Sequence, residues 1–309
     1  MSYRPVHRLL LLRSFLAIGA IAATACVDAP ATAPRFLSSE GASSAKQTPS
    51  SSKILVERLT DGAVSWHVIS MNDDGTQVLD IANLPRASQA SWAPDQKRIL
   101  FVGQLASFSP INIGIMNSDG TGMTFFTTTD CPSWPVALGK DVMFKEACAG
   151  GLYRVRLDGT GLTKLTDDAY VLDQASPDPQ ARFVAYSNGA DIVLLDVVSG
   201  AKTNITNTPG IFEYWPAFSP NGKLIAFTRC TATCDIWVMN ADGTGATRLT
   251  TNAFRPHWSP DGKRIAFSGI MDDPNHIADV FTMNANGTGV TNLTRTVGIL
   301  DEVTAWRPY

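Results

Sequence analysis

The stretches AFSPNGKLIAFTR (217–229) and IWVMNADGTGATRLTT (236–251), which follow one another along the chain, determine the fold. Each has a turn signal between two runs of alternating apolar residues. In the first stretch Pro fixes φ and Gly supplies a positive φ, and in the second an Asp-Gly pair makes a tight turn. Alternation on both sides of such a turn predicts a β-hairpin. Two successive hairpins therefore predict four antiparallel strands.

This pair of hairpins recurs along the chain after residue 52. The turn glycines of the second hairpin are 39 to 45 residues apart: Gly75, Gly120, Gly159, Gly200, Gly243 and Gly287. A period of this length is typical of a propeller blade, because one four-stranded sheet cannot cover both of its own faces. We therefore predict an all-β, six-bladed β-propeller with four-stranded antiparallel blades over residues 53–309. Since no window has a helical apolar period, almost no helix is expected.

The two ends of this region complement each other. KILVERL (53–59) matches the second strand of a repeat, whereas EVTAWRPY (302–309) matches a first strand and then stops. The C-terminal strand should therefore be the innermost strand of the blade that the N-terminal strand begins. Closure of this kind leaves no unpaired gap in the ring.

Composition and motifs exclude several classes of function. The chain has 309 residues, of which 44% are hydrophobic and 17% charged, and a formal net charge of −3. A mildly acidic protein has no electrostatic footprint for phosphate backbones, so no nucleic-acid partner is expected. The sequence contains no Gly-x-Ser-x-Gly elbow, His-Glu-x-x-His, Walker loop or dinucleotide fingerprint. We therefore expect neither a cofactor nor a resident metal.

Residues 1–25 have the pattern of an export signal. A basic start precedes an apolar run over residues 9–25, which is short for a membrane span and is interrupted by an arginine. The run ends in small residues before Cys26 and resembles a bacterial lipobox, with Ala23 where Leu is usual. We predict lipidation of Cys26, with cleavage for secretion without lipid, or an uncleaved anchor, as alternatives. Val27, rather than Asp, follows Cys26, which by resemblance to Gram-negative lipoprotein sorting favours the outer membrane.

A tether and two disulfides complete the predicted organisation. Residues 26–52 form the lipid-attachment Cys and a flexible linker, because 18 of the 26 residues after Cys26 are Ala, Ser, Thr, Pro or Gly. The other cysteines are predicted to form two disulfides in an oxidising compartment: Cys131 with Cys148, and Cys230 with Cys234. A two-residue turn at 139–140 would place the first pair directly opposite each other. A metal site is the alternative for each pair, although zinc usually needs four ligands.

The combination of SPDGK-x-IAF with MNADGTG-x-x-x-LT resembles the TolB-type (PD40) propeller repeat. The resemblance covers residues 53–309 and recurs six times. It implies a six-bladed, periplasmic or surface-exposed binding scaffold with an undefined ligand, which the lipobox would make a lipoprotein. TolB itself has an additional mixed domain before its propeller, where this chain has the tether. The resemblance therefore does not imply a role in the Tol–Pal system.

The functional surface of a propeller is usually one mouth of its central channel, where loops lead into the innermost strands. The candidate ligand-binding residues at these positions are Trp134, Asp173, Glu213, Tyr214, Trp215, Arg255, His257 and Glu302. Aromatic and Arg side chains are the usual anchors of partner or sugar binding. The alternative for Trp134 and Trp215 is packing between blades, as expected for Trp92, Trp258 and Trp306. The polar loop at 271–276 has ligands for a hard cation, but a solvated turn is the simpler interpretation.

The sequence is compatible with two functions. The first is a non-enzymatic, monomeric, envelope-associated binding module that engages a protein or glycan at the channel mouth. The alternative is a carbohydrate-active lyase or hydrolase that uses channel-mouth residues such as Glu213, Arg255 and His257. A paired-carboxylate glycosidase would need two acids about 5–10 Å apart across the site.

Overall fold

A computed structural model of the chain describes residues 53–59, 66–82, 87–104, 111–126, 129–168, 173–270, 278–296 and 298–307. The predicted leader, Cys26, the tether and the polar loop at 271–276 lie outside these residues. Within them every helix-or-strand element is a β-strand, as the alternating pattern predicts. In the same ranges there is no helix with the length and apolarity that crossing a bilayer requires.

The described strands form six antiparallel sheets of four strands each, which are the six predicted blades of a β-propeller. In chain order the strands are β1 Lys53–Leu59, β2 Trp66–Asn72, β3 Leu79–Ala82, β4 Ser88–Trp92, β5 Arg98–Gly103, β6 Asn112–Asn117, β7 Thr124–Phe126, β8 Pro132–Leu138, β9 Asp141–Glu146, β10 Leu152–Val155, β11 Thr163–Thr166, β12 Ser176–Pro177, β13 Phe183–Ser187, β14 Ile192–Asp196, β15 Lys202–Asn204, β16 Phe212–Phe218, β17 Leu224–Cys230, β18 Cys234–Asn240, β19 Thr247–Thr250, β20 Ala253–Trp258, β21 Arg264–Gly269, β22 Asp279–Asn284, β23 Thr291–Asn292 and β24 Leu300–Trp306. The innermost strands are β4, β8, β12, β16, β20 and β24.

The C-terminal strand closes the ring, which confirms the prediction from the two chain ends. The first blade has the order β24-β1-β2-β3, so its innermost strand comes from the end of the chain. The register runs from Ile54 opposite Trp306 to Leu59 opposite Leu300. Opening the ring would therefore break an entire strand ladder.

The hydrogen bonds of the Asn-x-Asp-Gly-Thr turns explain why the same residue types recur in most repeats. In the fifth blade the N–H of Gly243 donates to the carbonyl of Asn240 at 2.9 Å. The carboxylate of Asp242 accepts bonds from the N–H and the hydroxyl of Thr244, at 2.9 and 2.7 Å. Gly243 has φ +88°, and a Cβ there would overlap the carbonyl oxygen of Ile205 in the preceding blade. This glycine therefore permits both the turn and the close packing of two blades.

The hydrophobic core is divided among the blade interfaces. Six clusters of buried side chains each join two neighbouring blades. Trp92 packs in the cluster between the first two blades, Trp258 between the last two, and Trp306 between the last and the first. The predicted packing role of these three tryptophans is confirmed, and the interface at the closure is as apolar as the others.

Both predicted disulfides are present, but one prediction about their geometry is wrong. Cys131 and Cys148 are bonded with a Cα–Cα distance of 5.5 Å, and Cys230 and Cys234 with 4.0 Å. Cys131 does not lie directly opposite Cys148, since its carbonyl accepts a bond from the N–H of Ala147 at 2.8 Å. The reason is a β-bulge between Ser133 and Val136, which shifts the register of the hairpin by one residue.

Candidate functional site

Beta-bulges near the starts of the innermost strands shape the centre of the ring. The shifts in register lie between Ser88 and Ser91, Ser133 and Val136, Tyr214 and Ala217, and Phe254 and His257. One residue in each of these bulges has a left-handed backbone with φ of 49° to 55°: Gln89, Trp134, Trp215 and Arg255. A left-handed conformation costs a non-glycine residue about 1–2 kcal/mol. We use "start face" for the face of the ring where the innermost strands begin and "turn face" for the opposite one.

The bulged backbone is tied to the preceding blade by hydrogen bonds. The N–H of Trp134 donates to the side-chain oxygen of Gln89 at 2.8 Å, and the N–H of Gln89 donates to Glu57. The N–H of Trp215 donates to Asp173 at 2.9 Å, and the N–H of Arg255 to the hydroxyl of Thr228 at 3.2 Å. In the first blade the N–H of Val303 donates to Ser268 at 3.0 Å. Polar side chains from neighbouring blades thus satisfy backbone groups that leave the ladder at the bulges.

Arg255 connects four blades at the centre of the ring. Its guanidinium carbon lies 4.9 Å from the ring centre of Trp134 and 5.4 Å from that of Trp215. One guanidinium nitrogen, Nη1, lies 2.7 Å from Glu302 and 3.5 Å from Glu57. All five side chains are at least nine-tenths buried. We call these five residues (Glu57, Trp134, Trp215, Arg255 and Glu302) the central cluster.

Burial perturbs the titration of both carboxylates in the central cluster. Burial, together with the neighbouring charge of Glu302, raises the pKa of Glu57 to about 7 against the opposing effect of Arg255. Burial also raises the pKa of Glu302, again against the attraction of Arg255. A single guanidinium therefore faces two carboxyl groups, and a proton on Glu57 near neutral pH leaves the cluster close to electrically neutral.

A second buried ion pair supports the cluster from the side. The ammonium of Lys145 contacts the carboxylate of Asp173, and both side chains are about 1% exposed. Burial lowers the pKa of Lys145 and raises the pKa of Asp173, and in each case the charge of the partner opposes the effect of burial. Because Asp173 also accepts the bond from Trp215, this pair positions the aromatic wall around Arg255.

Glu213 and Tyr214 occupy different environments on the start face. Glu213 is fully buried, pairs with Arg229 at 2.7 Å, and accepts a bond from the hydroxyl of Thr208 at 3.1 Å. Its carboxylate therefore ties the start of β16 to β17 of the same blade and to the loop before β16. Tyr214 is half-buried and stacks beside Phe212, with ring centres 6.4 Å apart. Phe212 is 51% exposed, so these two rings form the exposed aromatic part of the start face.

A cavity of about 490 Å³ lies on the other side of the central cluster, towards the turn face. All six innermost strands line it through equivalent positions: Trp92, Ala137, Pro177, Phe218, Trp258 and Trp306. Pro216 and Thr304, which directly follow residues in or beside the central cluster, line its floor. Pro179 and Pro220 are exposed at its rim. The cavity is therefore open at the turn face and closed by the central cluster.

His257 is the one predicted site residue that lines this cavity. Its side chain is partly exposed to the cavity, but the surrounding protein desolvates it, and the nearby charge of Arg255 adds to this effect. Together they lower its pKa to about 3. Neutral imidazole offers one donor and one acceptor, so His257 acts as an uncharged polar group at physiological pH.

The first disulfide has an acidic neighbour. Glu146 and the sulfur atoms of Cys131 and Cys148 lie within 4.8 Å of one another, a spacing that a metal ion could use. The carboxylate is already engaged, since it accepts bonds from the N–H groups of Cys131 and Cys148 at 3.2 and 3.0 Å. With both sulfur atoms in the disulfide, this arrangement is explained as a capped hairpin end.

Sequence comparison places this ring among known propellers. Residues 156–308 match the family described as "TolB beta propeller domain" (PD40). Over these residues the ring is TolB-like. A curated relative, "Uncharacterized protein Atu1656" of Agrobacterium fabrum (strain C58), is 32% identical over 95 residues. That match spans 28% of this chain and 32% of the relative's length, so only part of the relative is represented.

Solved structures share the fold of the TolB-like propeller at low identity. TolB from Acinetobacter baumannii has a TM-score of 0.69 at 18% identity, over 85% of this chain and 68% of that one. A nidogen/laminin complex chain has 0.60 at 13% identity, over 82% and 99%. An oligogalacturonate lyase solved with manganese has 0.50 at 13% identity, over 80% and 74%. These likenesses establish the architecture alone, because binding proteins and an enzyme share it.

The candidate residues therefore divide into three groups. Trp134, Trp215, Arg255 and Glu302 come together in the central cluster, with Asp173 beside it. Glu213 and Tyr214 lie apart from the cavity, and His257 lines it. Sequence reasoning missed Glu57, Gln89 and Lys145. Glu57 had one visible signal, an acid within the apolar strand KILVERL, and Gln89 occupies the position that Trp134 and Trp215 hold in other repeats.

Proposed function

We propose that this TolB-like propeller is a non-enzymatic, envelope-associated binding module, and that its partner docks at the cavity on the turn face. The observation that carries the proposal is the cavity of about 490 Å³, with Trp and Pro side chains in its wall. Its volume lies within the range of about 300–1,000 Å³ that is usual for ligand sites. A protein partner is favoured over a glycan because the family match is to a TolB propeller domain.

The envelope location rests on the sequence at the start of the chain. Residues 1–25 have the pattern of an export signal, and Cys26 is the proposed lipid attachment site. The two disulfides of the propeller agree with an oxidising compartment. Lipid anchoring is tested by replacing Cys26 with Ser in the full chain. We expect the protein to move from the membrane fraction to the soluble periplasmic fraction, and unchanged membrane association would contradict lipidation.

The geometry gives less support to a glycan-cleaving enzyme. Among the residues that line the cavity there is no Asp or Glu, so a paired-carboxylate mechanism has no acid there. Of the residues in the enzyme hypothesis, Glu213 is held by Arg229, and Arg255 is held between two indoles. His257 has a pKa of about 3, which makes it a weak base.

The test is capture of a partner from envelope extracts by the full chain and by two variants. Ala217→Trp fills the cavity from a wall residue, whereas Val198→Trp adds the same side chain at an outer turn that is 85% exposed. We expect a stoichiometric partner that the wild type and Val198→Trp retain and Ala217→Trp loses. Far-UV circular dichroism checks that both variants fold, and Ser176→Phe fills the same cavity from another blade.

Two results would overturn the proposal. Equal capture by the wild type and both cavity-filling variants would place the partner elsewhere on the propeller. Turnover of a neutral or acidic glycan panel by the full chain, lost on His257→Ala, would establish the enzyme instead.

A further inference from the structure

None of the described residues that line the cavity has a charged side chain. Seventeen per cent of the chain is Asp, Glu, Lys or Arg, yet none of these lines the cavity. The wall consists of aromatic, proline, alanine and valine side chains with hydroxyl and amide groups among them. A charged group of a ligand would lose its hydration in this cavity and would not be paired with an opposite charge on a lining residue.

The floor offers no counter-charge either. The positive charge of Arg255 is already matched by Glu302 at 2.7 Å and approached by Glu57 at 3.5 Å. Neither carboxylate is among the residues that line the cavity. His257, the one ionisable group in the wall, is neutral at physiological pH. An incoming carboxylate or ammonium group would therefore find no counter-charge among the residues that line the cavity.

Two uncharged polar groups in the wall of the cavity lack a hydrogen-bond partner. The indole N–H of Trp92 and the hydroxyl of Thr304 are buried, and neither has a hydrogen-bond partner. Both residues line the cavity, with exposed fractions of 4% and 0%. Because both atoms lie below the accessible surface, neither offers a hydrogen bond to a ligand in the cavity.

The shape of the cavity favours a chain segment that turns back. The central cluster closes the channel at the floor, so whatever enters from the turn face must leave the same way. Five prolines stiffen the wall: Pro177, Pro179, Pro216, Pro220 and Pro260. A preformed, rigid wall loses little entropy when a ligand binds.

We propose that the protein partner inserts an internal loop with an uncharged tip into this cavity, and not a chain terminus or a charged side chain. This inference rests on the proposed function, because it assigns the chemistry of the segment that docks there. A free terminus would carry its carboxylate or ammonium group into the part of the channel that lacks counter-charges. A loop instead presents only neutral peptide groups to the uncharged lining of the cavity.

The experiment selects from a phage library of disulfide-closed loops on the full chain, with counter-selection on Ala217→Trp so that recovered loops depend on the cavity. We expect Asp, Glu, Lys and Arg to be depleted at the loop tip. Replacing one tip residue of a recovered loop by Asp or Lys should weaken its binding about tenfold or more, because the charge is buried unpaired. The same replacement outside the tip is the matched control.

Two outcomes would overturn this inference. They are recovery of cavity-dependent loops with charged tips, and failure to recover any cavity-dependent loop. The result is separable from the test of the proposed function. Suppose that the recovered loops have neutral tips but the native partner still binds Ala217→Trp. The second result would contradict the proposed docking site of that partner, whereas the first would still support the inferred chemistry of the cavity.

Discussion

Replacing Arg255 with Met is the sharpest single perturbation of this propeller. The substitution keeps an apolar stem between Trp134 and Trp215 but removes the cation that faces Glu57 and Glu302. The two carboxyl groups then remain buried without a counter-charge. Proton uptake by these groups relieves part of the penalty at low pH, so the effect should grow as the pH rises.

The expected loss of stability follows from the burial of the partners. Arg255, Glu57 and Glu302 have side-chain exposures of 3%, 5% and 3%. Removing one partner of a buried ion pair costs about 3–5 kcal/mol, and each lost cation–π contact adds about 0.5–1 kcal/mol. A domain is stable by about 5–15 kcal/mol in total, so this loss of about 4–7 kcal/mol is about a quarter of the stability or more.

Urea denaturation at pH 8, followed by tryptophan fluorescence, measures this loss. Arg182→Met is the matched control, because Arg182 also stacks on an aromatic ring, Phe183, and pairs with an acid, but is 63% exposed. We expect the control to change stability by about 1 kcal/mol or less. A loss for Arg255→Met below 1 kcal/mol, or equal to that of the control, would refute the role assigned to the central cluster.

Three further predictions concern titration and the blade turns. The folded-state pKa of Glu57 is about 7, above the ordinary value of 4.5. Its contribution to stability is therefore present below pH 4.5 and is lost as the pH rises through 7. In urea titrations between pH 4.5 and 8, Glu57→Gln should remove about 3 kcal/mol of this pH dependence. The pKa of His257 is about 3, below its ordinary value of 6.5, so the free energy of unfolding falls as the pH drops from 6.5 towards 3. His257→Gln should remove a dependence of about 1.4 kcal/mol per pH unit in that range. An unchanged dependence would contradict the burial of His257 as a neutral group. Gly243→Ala should lower the melting temperature of the propeller more than Gly200→Ala. Both glycines have positive φ, but a Cβ at 243 meets Ile205, whereas one at 200 meets nothing within 4 Å. Equal melting temperatures would show that the blade contact is not tight.

Much of the architecture could be predicted because it depends on local chemistry that repeats. The turn at Gly243 needs a glycine for its φ, and every copy of that turn marks a blade. The ring closure was also predictable, since the strand at 53–59 lacks a first strand and the C-terminal segment supplies one. In both cases each segment carries its own local signal, a turn glycine or a strand motif, that can be recognised without its partner.

The site was less predictable because its contacts cross the ring. Trp134 and Arg255 lie in different blades and meet only because closure brings their strands to one axis. A bulge, which no turn motif announces, orients both residues and also displaces Cys131 from its expected partner position. The role of Glu213 was hidden for a similar reason, because Arg229 reaches it from the next strand.

The channel should be open at the turn face and closed by the central cluster, and thiol labelling tests this most directly. Ala217 lines the cavity and is 8% exposed, while Ser133 lies on the start-face side of the cluster and is 6% exposed. Ala217→Cys and Ser133→Cys are treated with uncharged N-ethylmaleimide in the folded, oxidised chain, and peptide mapping locates the label. If the channel is open at the turn face alone, position 217 should be modified rapidly, and position 133 should be modified only at the rate of unfolding. Equal rates at the two positions, or protection of position 217, would contradict it.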